Sequence, residues 1–490
     1  PARPLYTRFA AGLLFPLHER LKGHDSVAVR RRLERSQWGS AADIEREQAE
    51  RLRAFLAEIG ARVPYYRELF RRIGFDPATV LSAADLQRLP LLTKADIRAH
   101  RHRMKAEGHG PLSRYNTGGS SGEPLVFYIG KGRKSHDVAA KWRATRWWGV
   151  DIGDREAVIW GSPIEHGAQD RMRAVRDGLF RSTLLPAFEM SEARLDEFVA
   201  WLRRHRPTML FGYPSALTYI ARHADKRGQR LDDLGVKVAF VTSERLYDDQ
   251  RATIARVFGC RVANGYGGRA AGFIAHECPA GGMHLSAEDI VVETVDGDGR
   301  PVPPGQAGEL VVTELSTAEF PFVRYRTGDV GVLDDSRCPC GRGLPLLRDL
   351  QGRTTDFVVA ADGTVMHGLA LIYILRDLPG IEGFKVTQES RLLTRVEIVP
   401  DGQYDAAVVP AIVQGFRRRL GADVEESLQR KRELEKGARD ALRALDTETA
   451  TFAVRHFMQD ERARYADQPG VLAYFDALQA DVIAHVDLFR

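Results

Sequence analysis

Cysteine is scarce in this chain: four in 490 residues, at positions 260, 278, 338 and 340. So few exclude a disulfide framework and leave metal binding or simple burial as their uses. Long apolar runs are missing as well. The stretch from Phe9 to Leu17 is too short to span a bilayer and is broken by Pro16. The N-terminus shows no charged-then-apolar leader with a cleavage site. An excess of one charge is also lacking, because 71 basic residues face 66 acidic ones and leave only +5. Basic and aromatic residues do not interleave as nucleic-acid binders require. These absences lead us to expect a soluble cytoplasmic protein with neither a nucleic-acid nor a membrane partner, a monomer or homodimer. Repeats and low-complexity tracts are absent.

What is present is a globular composition, 44% hydrophobic and 28% charged, long enough for more than one domain. Apolar residues recur at helical spacing from Ala41 until Val63-Pro64 interrupts them, and Thr93 reads as a helix cap. From residue 157 onward, short apolar runs alternate with amphipathic stretches. Strands are expected at 157–160, 208–211, 236–241 and 261–263, with helices between them. This order predicts an α/β fold with a mostly parallel sheet, whose ligands bind at the carboxyl ends of the strands. Beyond Cys278 the texture changes to hairpins such as Asp296-Gly297-Asp298-Gly299, giving a β-rich subdomain. We expect a large N-terminal domain over 1–356, a small α+β domain over 357–422 and a helical C-terminal extension over 423–490.

The segment Thr117-Gly118-Gly119-Ser120-Ser121-Gly122-Glu123-Pro124 is dense in glycine and hydroxyls. Glycine lets successive N–H groups face one concavity and hydroxyls add donors, which together suit a phosphate. It is not a Walker loop, because no Gly-Lys-Ser/Thr follows at the required spacing. A flexible turn between strands is the plain alternative.

Four strings in order resemble the adenylate-forming superfamily, in its phenylacetate–CoA ligase and CapK-like branch: T-G-G-S-S-G-E-P at 117–124, N-G-Y-G-G-R-A-A-G at 264–272, Y-R-T-G-D at 325–329 and G-R-T-T-D at 352–356. The resemblance implies that a carboxylic acid attacks the α-phosphate of ATP to give an acyl-adenylate, which then passes to a thiol such as CoA. It assigns the β- and γ-phosphates to residues 117–122, the adenine surroundings to Asn264, Gly265, Tyr266 and Gly267 beside Ser243 and Glu244, and the ribose hydroxyls to Asp329. Arg326 and Arg353 would neutralise phosphate, and Arg269 would face a substrate anion. Two departures stand out. Ala270 replaces the glutamate that helps the family hold Mg²⁺, and no Pro-x-x-x-Gly-Lys supplies the C-terminal lysine. The departures keep two alternatives open: transfer to an amine or hydroxyl, or an inactive nucleotide-binding relative.

The acyl pocket is expected between Trp160, Phe211, Tyr213, Pro214, Gly268 and Gly272, whose aromatic rings favour an aryl or other hydrophobic acid. Cys278, His284, Cys338 and Cys340 match the donor set of a structural Cys₃His zinc site. Solvent-facing reduced cysteines are the alternative there.

Overall fold

The computed structural model describes residues 4–116, 125–161, 176–187, 190–352, 357–361, 365–367, 371, 374–375, 378, 381–390, 393–400, 405 and 407–421. Residues 117–124, Arg353 to Asp356 and the extension from 422 onward lie outside them. The chain divides into two compact units, one running from the N-terminus to Phe357 with a short return at His367–Ile372, the other comprising the remainder.

The first unit opens with helices. Ser40 caps the helix Ala41–Arg62, accepting from the Asp43 N–H while Asp43 bonds back to the Ser40 N–H. Pro64 then starts a second helix, Pro64–Ile73, because proline fits the first helical position but not an interior one. Thr93 caps Lys94–His100 in the same reciprocal way with Asp96.

A hairpin follows, β1 (Ser113–Asn116) against β2 (Val126–Ile129), with Asn116 opposite Val126. The helix Lys131–Trp147 leads into β3 (Glu156–Trp160). The chain then gives β4 (Ser182–Pro186), β5 (Met209–Gly212), β6 (Val238–Thr242) and β7 (Arg261–Gly268), with helices Glu192–His205, Pro214–Lys226 and Asp248–Phe258 between them. Next come β8 (Gly272–Glu277), β9 (Met283–Leu285), β10 (Ile290–Val295), β11 (Ala307–Glu314), β12 (Tyr325–Asp334) and β13 (Leu346–Gly352). Among the described residues these form one 11-stranded sheet in the order β10-β11-β12-β13-β9-β8-β7-β6-β5-β3-β4. Strands β4, β3, β5, β6 and β7 pair in parallel, and the remainder pair antiparallel. The short-strand region therefore extends the same sheet.

The side-chain alternation of the parallel block shows why it needs cover on both faces. Ala157, Ile159, Leu210, Ala239 and Val241 join the cluster under the helices Glu192–His205, Pro214–Lys226 and Asp248–Phe258. Their neighbours Val158, Trp160, Met209, Phe211, Val238 and Phe240 point the other way, toward Ala144, Trp147 and Trp148. Apolar residues on both faces read as continuous runs, as expected for a buried parallel strand.

One expectation is corrected here. The strand expected at 261–263 runs on through Asn264 to Gly268 as β7 where a loop would follow from that expectation, and these residues pair with β8 across Gly265↔His276 and Gly268↔Gly272. Glycine is what allows it: a Cβ on Gly267 would sit 2.2 Å from the Gly272 carbonyl oxygen.

In the second unit, β16 (Ile381–Ser390) and β17 (Leu393–Pro400) form a hairpin, and the helix Val408–Leu420 brings Gly415 against Ile374. β14 (Phe357–Val359) and β15 (Val365–His367) make a further two-stranded sheet.

Candidate functional site

Two of the four recognised strings meet in space, together with the residues that follow a third. Leu125 and Phe127 flank the 117–124 segment, Ala270 closes the β7–β8 hairpin and Tyr325 opens β12, and all four lie in one buried cluster. Phe322 stacks on Tyr325 with centroids 5.1 Å apart and reaches Phe127 at 5.7 Å. The 117–124 segment itself lies outside the described residues; Asn116 and Val126 on either side of it are paired across β1 and β2. Arg353 likewise falls outside the described residues.

Tyr266 joins the second string to the third. Its buried hydroxyl donates to Asp329 Oδ2 at 2.9 Å, a charge-assisted bond that orients the carboxylate. The Asp329 N–H donates to Thr327 Oγ1 at 3.1 Å, so the residue is positioned from both ends. Arg326 is engaged along one edge of its guanidinium and remains partly exposed. It pairs with Glu309, Nε to Oε2 at 2.9 Å, and the same carboxylate accepts the Gly328 N–H at 3.2 Å. Asn264 is held through its N–H by Glu277 at 2.8 Å, and Arg251 anchors that glutamate in turn.

The turn that carries Arg269 and Ala270 is gripped from beneath by a residue that sequence reading passed over. Arg133, fully enclosed on the helix Lys131–Trp147, donates to the carbonyls of Ala270 and Arg269 at 3.3 Å each while Asp137 holds its Nε at 2.9 Å. A planar trans peptide sets N–H opposite C=O, so holding the Arg269 carbonyl inward turns the Ala270 N–H to the far side. Gly272 leaves room for the clamp: its φ is +78°, and a Cβ there would lie 2.9 Å from Glu314 Oε2 and 3.0 Å from Arg133 Cζ. Below it, the carboxylates of Glu314, Asp137 and Asp289 surround His136; although burial opposes the charged ring, they raise its pKa. A buried arginine on an unremarkable helix gives no sequence signal.

At the carboxyl ends of the parallel strands the expected acyl-pocket aromatics form a column. Tyr213 stacks on Trp160 at 4.3 Å, Trp160 on Phe211 at 5.9 Å and Phe211 on Phe240 at 6.1 Å. Lys141 lies over the Phe211 ring at 4.0 Å and pairs with Glu156. Pro214 starts the helix behind Tyr213, and Gly268 is exposed with open space where a Cβ would stand. Ser243 takes a left-handed φ of +72°, a strained conformation for a non-glycine residue. It delivers Glu244 to the start of the same helix, where Oε1 and Oε2 accept from the Ser215 hydroxyl at 2.9 Å and N–H at 3.2 Å. Burial pushes the Glu244 carboxyl up to about 7 against those two donors.

Cys278, His284, Cys338 and Cys340 converge, their ligand atoms all within 4.8 Å of one another. The Cys278 and Cys338 sulfurs are 3.6 Å apart, and Cys340 Sγ is 3.2 Å from His284 Nε2. A tetrahedral zinc site has edges of about 3.8 Å between sulfurs and about 3.5 Å between sulfur and nitrogen. The donor set and the distances fit that ion. His284 Nδ1 lies 3.2 Å from the Leu344 carbonyl, which would hold the proton on Nδ1 and leave Nε2 as the ligand. Burial lowers the imidazole pKa to about 4, keeping it neutral. Cys278 and Cys338 each begin a tight turn, closed by Gly281 and Gly341 bonding back to their carbonyls. Cys260 stands apart, its thiol pushed up to about 12 by burial.

Residues 137–319 match the AMP-binding enzyme family. The phenylacetate–coenzyme A ligase of Thermus thermophilus is 26% identical over 397 residues, 77% of this chain and 83% of the relative. The chain thus carries an AMP-binding enzyme region and is similar to the phenylacetate–CoA ligases and CapK over most of its length. Protein CapK of Staphylococcus aureus is 23% identical, covering 68% of this chain and 73% of its own. The fold is shared with a 2-hydroxyisobutyryl-CoA ligase solved in the postadenylation state with its acyl-AMP, at a TM-score of 0.56 and 22% identity over 80% of this chain and 86% of the other.

Position 270 is where the motif resemblance implied a glutamate. Ala270 is buried and offers no oxygen ligand, so the side chain there does not fit a magnesium ion.

Proposed function

We propose that this chain activates a carboxylic acid with ATP and passes the acyl group to the thiol of coenzyme A. An acid oxygen attacks the α-phosphorus, the bond to the β-phosphate breaks, and pyrophosphate leaves with its negative charge. The CoA sulfur then attacks the acyl carbon, AMP departs and the thiol proton goes to solvent. The observation that carries this reading is that Leu125 and Phe127 pack in one cluster with Ala270 and Tyr325 while Tyr266 bonds Asp329, which joins the second string to the third beside the end of the first. Asp329, with acceptors only, takes the two ribose hydroxyls. Residues 117–122 take the departing phosphates, where donors aimed at developing charge count most. The Ala270 N–H, turned away from the Arg133 clamp, is placed to meet an anionic oxygen.

The aromatic column from Tyr213 to Phe211 favours a flat or hydrophobic acid. Residues 1–356 hold the nucleotide and acid, and 357–422 would change position between the two half-reactions. The cysteine–histidine cluster holds a structural zinc, since four protein ligands leave no open position.

Pyrophosphate release with a panel of aromatic acids, ATP and Mg²⁺ tests the first half. Asp329→Ala should lower it at least tenfold. Mass spectrometry with CoA against amine and hydroxyl acceptors reads the second half. Release that no acid elicits overturns the proposal.

A further inference from the structure

Five large apolar side chains project from the N-terminal helical segment at intervals of four: Leu5, Phe9, Leu13, Leu17 and Leu21, which are 82%, 50%, 60%, 51% and 80% exposed. Single exposed leucines are ordinary, whereas a contiguous stripe marks a contact surface. Four residues overshoot one turn of an ideal α-helix by about 40°. A stripe with this spacing would therefore wind around the axis. Here the segment is α-helical over Leu5–Phe9, widens to a π turn over Ala10–Leu14 and returns to α-helix over Phe15–Leu21. The wider turn takes back part of the drift and keeps the stripe on one side. It lies immediately before Pro16, whose ring crowds the preceding turn.

The opposite side is docked firmly. Thr7 donates to Asp154 at 2.7 Å, Phe15 meets the Trp142 ring edge-on at 5.0 Å, and Glu19 accepts from Ser26 at 2.5 Å. Gly153 lacks a side chain where Ala10 presses against it. The segment is thus part of the folded unit, with its leucines outward.

Charge selects the occupant. Between residues 4 and 24 the only acid is Glu19, and it is buried. The other exposed groups there include Arg8, Arg20 and Lys22, and Arg176 lies near the last of these. The pKa of the Lys22 ammonium is lowered, chiefly by the partial enclosure of its charge and then by Arg176, with Glu19 and Asp177 opposing. Asp25, the next acid in sequence, and Asp177, an acid close to Lys22 in the fold, are paired with Lys131 and Arg176. A second copy packed on this stripe would set like cations against one another. An anionic bilayer surface would instead take the leucines into its acyl boundary and the cations among its headgroups.

We propose that the Leu5–Leu21 segment is an interfacial helix that seats this protein on an anionic membrane surface. The proposal is independent of the reaction assigned above. The full chain should co-sediment with phosphatidylcholine vesicles containing phosphatidylglycerol and much less with phosphatidylcholine alone. Leu13→Glu with Leu17→Glu should weaken binding at least tenfold, and each of Arg20→Gln and Lys22→Gln by roughly fivefold at low salt. These side chains are exposed, so circular dichroism and melting should stay as in the parent, which separates lost docking from lost folding. Failure to bind either vesicle overturns the proposal. So does a dimer in light scattering that the double leucine variant splits, because the stripe would then belong to a second copy.

Discussion

Cys338→Ser removes one corner of the cysteine–histidine tetrahedron, and the cost follows from what the cluster ties together. Cys278 begins the β8–β9 turn, His284 lies in β9, and Cys338 and Cys340 sit in the loop before β13. Cys278 and Cys338 are 60 residues apart in sequence and 3.6 Å apart in space. A cross-link closing a loop of that length restricts the unfolded chain by about 4 kcal/mol in the chain-entropy treatment. Zinc binds the unfolded chain weakly, so most of that value should appear as stability of the first unit. A serine hydroxyl is a poor substitute for thiolate, and Gly282 packs so close to the Cys338 sulfur that the site has little room to rearrange. Melting should fall by roughly 5–10 °C. Metal content by plasma mass spectrometry should drop from one zinc per chain to well below one. The parent stripped with a strong chelator should melt like the variant and recover on adding Zn²⁺. A purified parent without zinc whose melting ignores both chelator and added zinc would refute the reasoning, and the four residues would then be reduced cysteines beside a packed histidine.

Two further outcomes follow from side chains near the proposed nucleotide. Lysine cannot span two carbonyls while pairing with Asp137, so Arg133→Lys should lower kcat for adenylation tenfold or more and leave AMP affinity within about twofold. Arg143→Lys, in the equally buried pair with Glu288, should leave kcat alone, and loss of activity in both variants would reduce the clamp to a stability effect. The Glu244 carboxyl, pushed up to about 7, takes a proton on folding that the unfolded chain does not hold above about 4.5. Stability should therefore fall as pH rises from about 4.5 to 7 and level off beyond. Glu244→Gln should flatten that slope in urea unfolding and gain on the order of 2–3 kcal/mol at pH 8, with no change at pH 4.

Local chemistry made much of this fold readable along the chain. The runs around 157–160, 208–211 and 236–241 are strands in the structure because their residues suit burial on both faces. Pro64, Ser40 and Thr93 set helix starts through their own backbone limits and hydroxyls. The donor types of Cys278, His284, Cys338 and Cys340 marked a candidate set without any fold, and the structure brings the four together. Contacts between distant segments could not be read this way. That Arg133 grips the Arg269–Ala270 turn depends on a helix and a hairpin separated by 137 positions at their contact, and buried arginine has no periodic signature. Arg326 looked free to meet phosphate, yet its partner Glu309 is decided by the register of β11 against β12. Asn264 to Gly268 seemed a loop because glycine breaks strands by propensity, whereas pairing with β8 outweighs that preference. The stretch from Phe9 to Leu17 read as an apolar patch broken by proline; only the docked opposite face and the π turn show a stripe from Leu5 to Leu21 and which way its leucines point. Sequence alone determined which elements form and which atoms are chemically apt, because propensity, capping and ligand type are properties of single residues and near neighbours. Tertiary structure alone decided which of those atoms meet, because burial and pairing are properties of surfaces that exist only once the chain has folded.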